Sequence, residues 1–222
     1  GKGELYDSLA RSGGVALYRN DDAVLCEMVA EREGLQSVGY PSTLSGGVRS
    51  NLVGDYNGFN IAAAMAVGRY FGVAQEDMLA AISAYTPSNN RSQGVTTERN
   101  LLTVDCYNAN PSSMAAAILN HRHNSHANYP RKVLILGDML ELGEWSGEEH
   151  QRVVDEALGA DFEQIILVGD NFAATRHDDP RVATFGKALE LKEWLVERPL
   201  AGCFVLVKGS RGVGLERVIE NL

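Results

Sequence analysis

Three polar loops of this 222-residue sequence hold side chains whose types and spacing suit chemistry on an anionic or hydroxylated ligand. In DCYNANPSSM (105–114) a carboxylate, Asp105, leaves an apolar run and is followed by Tyr107, Asn108 and Asn110, just ahead of Pro111. An Asp at a strand end can accept hydrogen bonds from both ribose hydroxyls, and an aromatic ring can pack on a base. The helix N-terminus announced by Asn110-Pro111 favours negative charge. The plainer alternative is that Asp105 and Asn110 only cap turns. In KGSRG (208–212), Lys208 and Arg211 flank Ser210 within a run of backbone donors, which suits a carboxylate or phosphate. A glycine turn with solvated charges would look the same. GDMLELGEWSGEEH (137–150) is acidic and precedes a helix, so Asp138, Glu141 or Glu144 could orient an amine or hold a metal, or simply complement the helix dipole. His150 fits an orienting hydrogen-bonder as well as a catalytic base.

Other constellations are weaker. His121, His123 and His126 do not share one helix face, so HRHNSH (121–126) reads as a helix end and a solvated loop rather than a zinc site. The sequence contains no G-x-x-x-x-G-K-[ST], G-x-S-x-G or H-E-x-x-H pattern. Cys26, Cys106 and Cys203 are odd in number and far apart, as expected of reduced core thiols. The sequon Asn90-Arg91-Ser92 would matter only in a secreted chain.

Composition sets the setting for these loops. With 45% hydrophobic and 22% charged residues the chain is globular, and its net charge of −9 argues against a duplex nucleic-acid binder, which needs a basic footprint. No run of eighteen apolar residues occurs, and the opening GKGELYDSLARSGG is amphipathic, so neither a membrane span nor a leader is expected. A cytoplasmic protein acting on small molecules, monomeric by default, is the expectation.

The elements that must position the loops follow from periodicity. Residues 3–12 read as a helix stopped by Gly13-Gly14, VALY (15–18) as a short strand, and Asp21-Asp22 to Arg32 as a second helix. Residues 34–51 show no sustained period and read as a loop or as shortened strands. Helices are predicted over 58–72 and 75–85, with a domain boundary near 87–93. Then 101–107, 132–137, 164–169, 182–185 and 203–209 are compact Val/Ile/Leu runs, each followed by a helical segment, including a helix starting near Gly214. This α/β alternation predicts βαβ units and a mostly parallel sheet. Asn110-Pro111 caps one helix and Ser146-x-x-Glu149 reads as a capping box opening another, which runs to about Leu158. Ligands of such sheets collect outside the carboxyl ends of the strands, which is where the loops after Asp105, Gly137 and Lys208 lie.

Taken together, YNGFNIAAAMAVGRYFGV (56–73), PSNNRSQ (87–93), VDCYNANPSSMAAAI (104–118), LGDMLELGEWSGEEH (136–150) and VKGSRG (207–212) resemble the Mur ligases. Within that family the similarity is greatest to the member that joins D-Ala-D-Ala to a UDP-N-acetylmuramoyl-tripeptide. The resemblance implies an α/β chain made of a remnant of the central ATPase domain without its P-loop (1–87), followed by the C-terminal Rossmann-like domain (88–222). It also implies ATP and Mg2+ as cofactors and the UDP-tripeptide and D-Ala-D-Ala as substrates. The implied reaction passes through an acyl phosphate in peptidoglycan precursor synthesis, and the chain by itself is expected to be inactive.

Carried over by position, the resemblance makes Asn57, Asn60, Arg91, Asp105, Tyr107, Asn108 and Asn110 ATP-binding residues. Arg91 and Lys208 become catalytic, and Asp138, Glu141, Lys208, Ser210 and Arg211 bind the second substrate. Lys2 matches a lysine that, once carbamylated, helps hold the metal. Tyr56 stands where many members have histidine, and residues 34–51 are shorter than the usual segment. Two alternatives remain: a non-catalytic Rossmann-like nucleotide-binding module, and a related ligase of other amino-acid specificity, such as one adding glutamate to folate. NNRSQ and DCYNANP argue against the latter.

Overall fold

Near-continuous Val, Ile and Leu runs build a sheet covered on both faces, and that sheet sets the position of every loop discussed above. The computed structural model describes residues 3–43, 48–52, 57–86 and 91–222. The chain divides into two units, one running to Tyr85 and one comprising Thr86–Leu222 together with Leu52.

The first unit contains α1 (Glu4–Ser12), β1 (Val15–Arg19), α2 (Ala23–Ala30), β2 (Gln36–Tyr40), α3 (Asn57–Tyr70) and α4 (Gln75–Ala84). α1 stops at Gly13, whose φ of 72° is the left-handed cap that glycine supplies, and α2 starts where Asp22 accepts from the Leu25 amide at 3.1 Å. β1 and β2 pair in parallel, Val15 opposite Gln36. The second strand falls inside 34–51, so that stretch holds a shortened strand. Its residues Gln36 to Gly39 are all exposed, which is why no alternation marks it. Ala16, Ala62, Met65, Ala66 and Met78 form the buried apolar set.

The second unit contains β3 (Gln93–Thr96), β4 (Leu101–Asp105), α5 (Pro111–His123), β5 (Arg131–Gly137), α6 (Ser146–Leu158), β6 (Gln164–Val168), α7 (Asp170–Ala173), β7 (Val182–Phe185), α8 (Ala188–Glu197) and β8 (Cys203–Lys208). Its six strands run in the order β3-β4-β8-β5-β6-β7, all parallel except β3 against β4. Alternate residues feed two cores. Val133, Ile135, Ile166, Val168, Val205 and Val207 pack with Leu191 and Leu195 of α8 and with Leu215 and Val218. Leu134, Leu136, Ile165, Leu167 and Leu206 pack with Met114 and Ile118 of α5 and with Val153 and Val154 of α6. The α/β class and the mostly parallel sheet are as the sequence predicts.

Two elements refine the expectation, and two residues change it. β3 has a single Val among four residues and is too short to show a period. The segment Leu215–Asn221 after Gly214 is a 3-10 helix rather than an α-helix. Ser146 forms no capping box: it is the first residue of α6, and its hydroxyl donates to Asn171 Oδ1 at 3.0 Å. Glu149 pairs with Arg152. His121 is not at a solvated helix end but 2% exposed, its ring stacked on Phe162 and tilted against Phe204 at centroid distances of 5.9 and 4.2 Å.

Neither ring nitrogen of His121 makes a hydrogen bond. Desolvation, aided by the nearby Lys132 charge, pushes its pKa down to about 3. Because the unfolded imidazole titrates near 6.5, the unfolded state binds the extra proton below that pH. The native state is therefore favoured fully above about pH 6.5 and progressively less as pH falls toward 3. Urea unfolding of the chain should show a loss of roughly 2 kcal/mol between pH 7 and pH 5 from this group. His121→Leu should flatten that slope, and an unchanged slope would refute the assignment.

Candidate functional site at the strand ends

Asp105 ends β4 and Lys208 ends β8, and the parallel register sets them side by side. Residues paired this way point to the same face, so the two side chains meet: Lys208 Nζ lies 2.6 Å from Asp105 Oδ2 and 3.4 Å from the Asn108 carbonyl. The lysine side chain is 2% exposed and the aspartate side chain 13%. A cation this deep needs its partner, because an uncompensated buried charge costs several kcal/mol. Asp105 Oδ1 accepts a further hydrogen bond from the Ser92 amide at 3.2 Å. Ser92 has φ 45°, and this left-handed turn joins Arg91 to β3. Two donors leave about two of the four lone-pair positions of an ionised carboxylate open to ligand hydroxyls.

Tyr107, just beyond the strand, presents its ring to two cations. The Arg91 guanidinium carbon lies 3.7 Å and that of Arg211 5.5 Å from the ring centroid. Arg91, Asp105, Tyr107, Asn108, Lys208 and Arg211 are thus brought together at the carboxyl ends of β4 and β8. The described arrangement offers a carboxylate, an aromatic face and forked cations in one place.

The remaining candidates hold backbone in place. Asn110 is the N-cap of α5, its Oδ1 accepting from the Ser113 amide and the Ser112 hydroxyl, both at 2.9 Å. Ser210 is buried; its amide donates to the Asp138 carbonyl at 3.1 Å and its hydroxyl accepts from the Leu140 amide at 3.0 Å. Asp138, also buried, accepts from the Asn171 amide and side chain at 3.0 and 2.9 Å and from the Phe172 amide at 3.0 Å. His150 is fully buried, its Nε2 accepting from the Met139 amide at 3.0 Å while Nδ1 donates to the Ser146 carbonyl at 2.7 Å. That geometry makes it the orienting hydrogen-bonder. Glu141 is exposed in a left-handed conformation, φ 67°. Asn57 and Asn60 open α3 in the first unit, Asn60 Nδ2 donating to Asn57 Oδ1 at 3.0 Å. Lys2 lies outside the described residues. Among the described residues no three His, Cys, Asp or Glu side chains converge where they could hold a metal ion.

Sequence reasoning missed Ser92, Asn100 and the β6–α7 turn at Asp170. Asn100 is buried, donating to the Leu200 carbonyl at 2.9 Å and accepting from the Cys203 amide at 3.0 Å. A lone Asn or Ser between apolar runs carries no periodic signal. The Gly169-Asp170 pair that follows the apolar run of β6, by contrast, is a polar strand-to-helix junction and marks a fourth loop.

The sequence profile described as "Mur ligase, glutamate ligase domain" matches residues 90–211. The chain belongs to the Mur ligase family. A Mur ligase of Treponema pallidum, named UDP-N-acetylmuramoyl-tripeptide–D-alanyl-D-alanine ligase, is 37% identical over 177 residues, which is 77% of this chain and 38% of that protein. The chain therefore spans less than two-fifths of the length of this curated relative. Among solved structures, MurF from Acinetobacter baumannii superposes with a TM-score of 0.77 at 23% identity, over 100% of this chain and 54% of its own. MurF from Thermotoga maritima, solved in complex with ADP, gives 0.74 at 19% identity, over 94% and 52%. These likenesses establish the fold.

The buried ion pair yields a direct test. Lys208→Met should destabilise the chain by about 3 kcal/mol, because it leaves the Asp105 charge without its partner. Adding Asp105→Asn should recover most of that loss. Urea midpoints equal to wild type for Lys208→Met would show the pair to be structurally neutral.

Proposed function

We propose that this chain is the nucleotide-closing and dipeptide-delivering part of an ATP-dependent ligase that joins D-Ala-D-Ala to UDP-N-acetylmuramoyl-tripeptide. The observation that carries the reading is the meeting of Asp105, Lys208, Tyr107, Arg91 and Arg211 at adjacent strand ends. The activity for which relatives such as the Treponema protein are named supports the substrate assignment, and the ADP in the Thermotoga neighbour supports the nucleotide.

On this reading the first unit is the partial central ATPase domain, with Asn57 and Asn60 on the adenine side, and the second is the C-terminal domain. Asp105 accepts the ribose hydroxyls through its open lone pairs, Arg91 supplies fixed charge to the phosphates, and Arg211 serves the second substrate. The tripeptide carboxylate attacks the γ-phosphorus of ATP, releasing ADP and forming an acyl phosphate. The dipeptide amine then attacks the acyl carbon, losing a proton and expelling phosphate. Both steps concentrate negative charge, first on the transferring phosphoryl and then on a tetrahedral oxyanion. Preorganised cations lower such barriers, and no covalent enzyme nucleophile is needed. Arg91 fits this role through its exposed guanidinium. Lys208, expected to be catalytic and to bind the second substrate, has its ammonium buried against Asp105 and the Asn108 carbonyl, so on this reading it acts by positioning them. Mg2+ would neutralise phosphate charge in this reaction, and Lys2, if carbamylated, would contribute to holding it. Asp138 and Ser210 set the shape of the second-substrate loops from beneath, while Glu141 stands at their surface.

No described helix is long and apolar enough to cross a membrane. A monomeric, cytoplasmic protein without nucleic-acid partners completes the proposal, and the 222 residues alone, which carry no P-loop pattern, are not competent for ligation. In the natural protein that carries this chain, ADP release should depend on both UDP-N-acetylmuramoyl-tripeptide and D-Ala-D-Ala. Arg91→Ala should lower kcat about 100-fold, and Asp105→Asn should raise KM for ATP. Turnover supported by glutamate instead of D-Ala-D-Ala would overturn the specificity assigned here.

A further inference from the structure

Tyr107 has an exposed ring beside the buried Asp105–Lys208 pair. The Arg91 guanidinium carbon lies 3.7 Å from the centroid of that ring, the separation of carbon atoms in van der Waals contact. A planar guanidinium at that height fills the face it covers, so a nucleotide base could not lie on the same face. The Arg211 guanidinium carbon stands off the same ring at 5.5 Å, within the range of cation–π attraction. Among the described residues neither guanidinium makes a hydrogen bond or an ion pair, so the ring is what locates them.

The backbone on both sides of the contact is fixed. Ser92, the residue after Arg91, has φ 45°, and its amide donates to Asp105 Oδ1 at 3.2 Å. Tyr107 lies two residues beyond the same carboxylate, and the intervening Cys106 is buried, its Sγ donating to the Val207 carbonyl at 3.5 Å. The roots of Arg91 and Tyr107 are therefore both tied to Asp105, which Lys208 holds in turn. A free arginine side chain samples many rotamers, and a ring that keeps it in one removes that disorder before a ligand arrives. Two cations gathered on one ring with no acid paired to them are arranged for an anion that comes from outside.

We infer that Tyr107 is a positioning residue: its ring holds the Arg91 guanidinium, and more loosely that of Arg211, where negative charge develops, and is a rest for these cations rather than a platform for the base. The inference rests on the ligase reading and changes the part that Tyr107 plays in it. The ring makes no bond to a reacting atom; it acts through the arginine it carries.

The test is steady-state ligation by the natural protein that carries this chain, arranged as a double-mutant cycle. Tyr107→Leu should lower kcat about fivefold, the worth of one exposed cation–π contact, and leave the KM for ATP within about twofold. In an Arg91→Ala background the same substitution should change kcat by less than about twofold, because the group it positions is gone. Tyr107→Phe, which restores the ring face, should recover the loss. Both side chains are exposed, so the urea midpoints of the variants should match that of the wild type, which separates lost positioning from lost fold. A rise in KM for ATP on Tyr107→Leu that persists in the Arg91→Ala background would show the ring packing on the base, and would overturn the inference while leaving the ligase reading standing. An unchanged kcat for Tyr107→Leu, or an equal loss in both backgrounds, would do the same. Absence of any turnover dependent on D-Ala-D-Ala in the wild type would overturn both.

Discussion

A lysine ammonium kept almost wholly from water beside one carboxylate is the interaction on which the site depends. Lys208 and Asp105 are the last residues of two neighbouring parallel strands, so their attraction acts where the sheet ends and the loops begin. The pair fixes the Asn108 carbonyl on one side and the Ser92 amide on the other. Arg91 and Tyr107 are the chain neighbours of these anchored groups, and the guanidinium-on-ring stacking between them follows from that placement. Charge burial that contributes little net stability is here turned to geometric definition, a use for which buried ion pairs are better suited than for strength.

A second chain of contacts, centred on the buried Asp138 carboxylate, holds the other half of the strand-end surface. The Ser210 amide and hydroxyl tie the loop after β8 to the loop after β5, and Asp138 passes the connection to the amides that open α7. His150, from within α6, fixes the Met139 amide from beneath. Each member is buried and satisfied, so displacing one leaves a polar group without a partner in a dry setting. Loops of this kind are rigid before a ligand arrives, which lowers the ordering cost of binding.

The sheet was legible in the sequence because strands covered on both faces must be apolar throughout, and 132–137 and 203–209 have no other reading. Asp105 and Lys208 were legible as strand-end polar residues, and their mutual contact was not, since the pairing of β4 with β8 joins segments about a hundred residues apart. β3 escaped because a four-residue strand leaves no period, and β2, being exposed, was legible only as one of two readings of 34–51. His121 was misread because its neighbours in sequence are polar, whereas its neighbours in space, Phe162 and Phe204, arrive from other elements.

The position of β8 has a consequence for how the molecule comes into being. Among the described strands of the second unit this one is synthesised last, yet it lies between β4 and β5, and all six of its residues are buried. Until it emerges, β4 and β5 each expose a hydrogen-bonding edge, and the polypeptide on the ribosome consists of half-sheets with no shared centre. Closure of the second unit must therefore come late and through contacts distant in sequence, which is slow and leaves open edges prone to mispairing. The same insertion delivers Lys208 to Asp105, so the site and the completed sheet arise in one step.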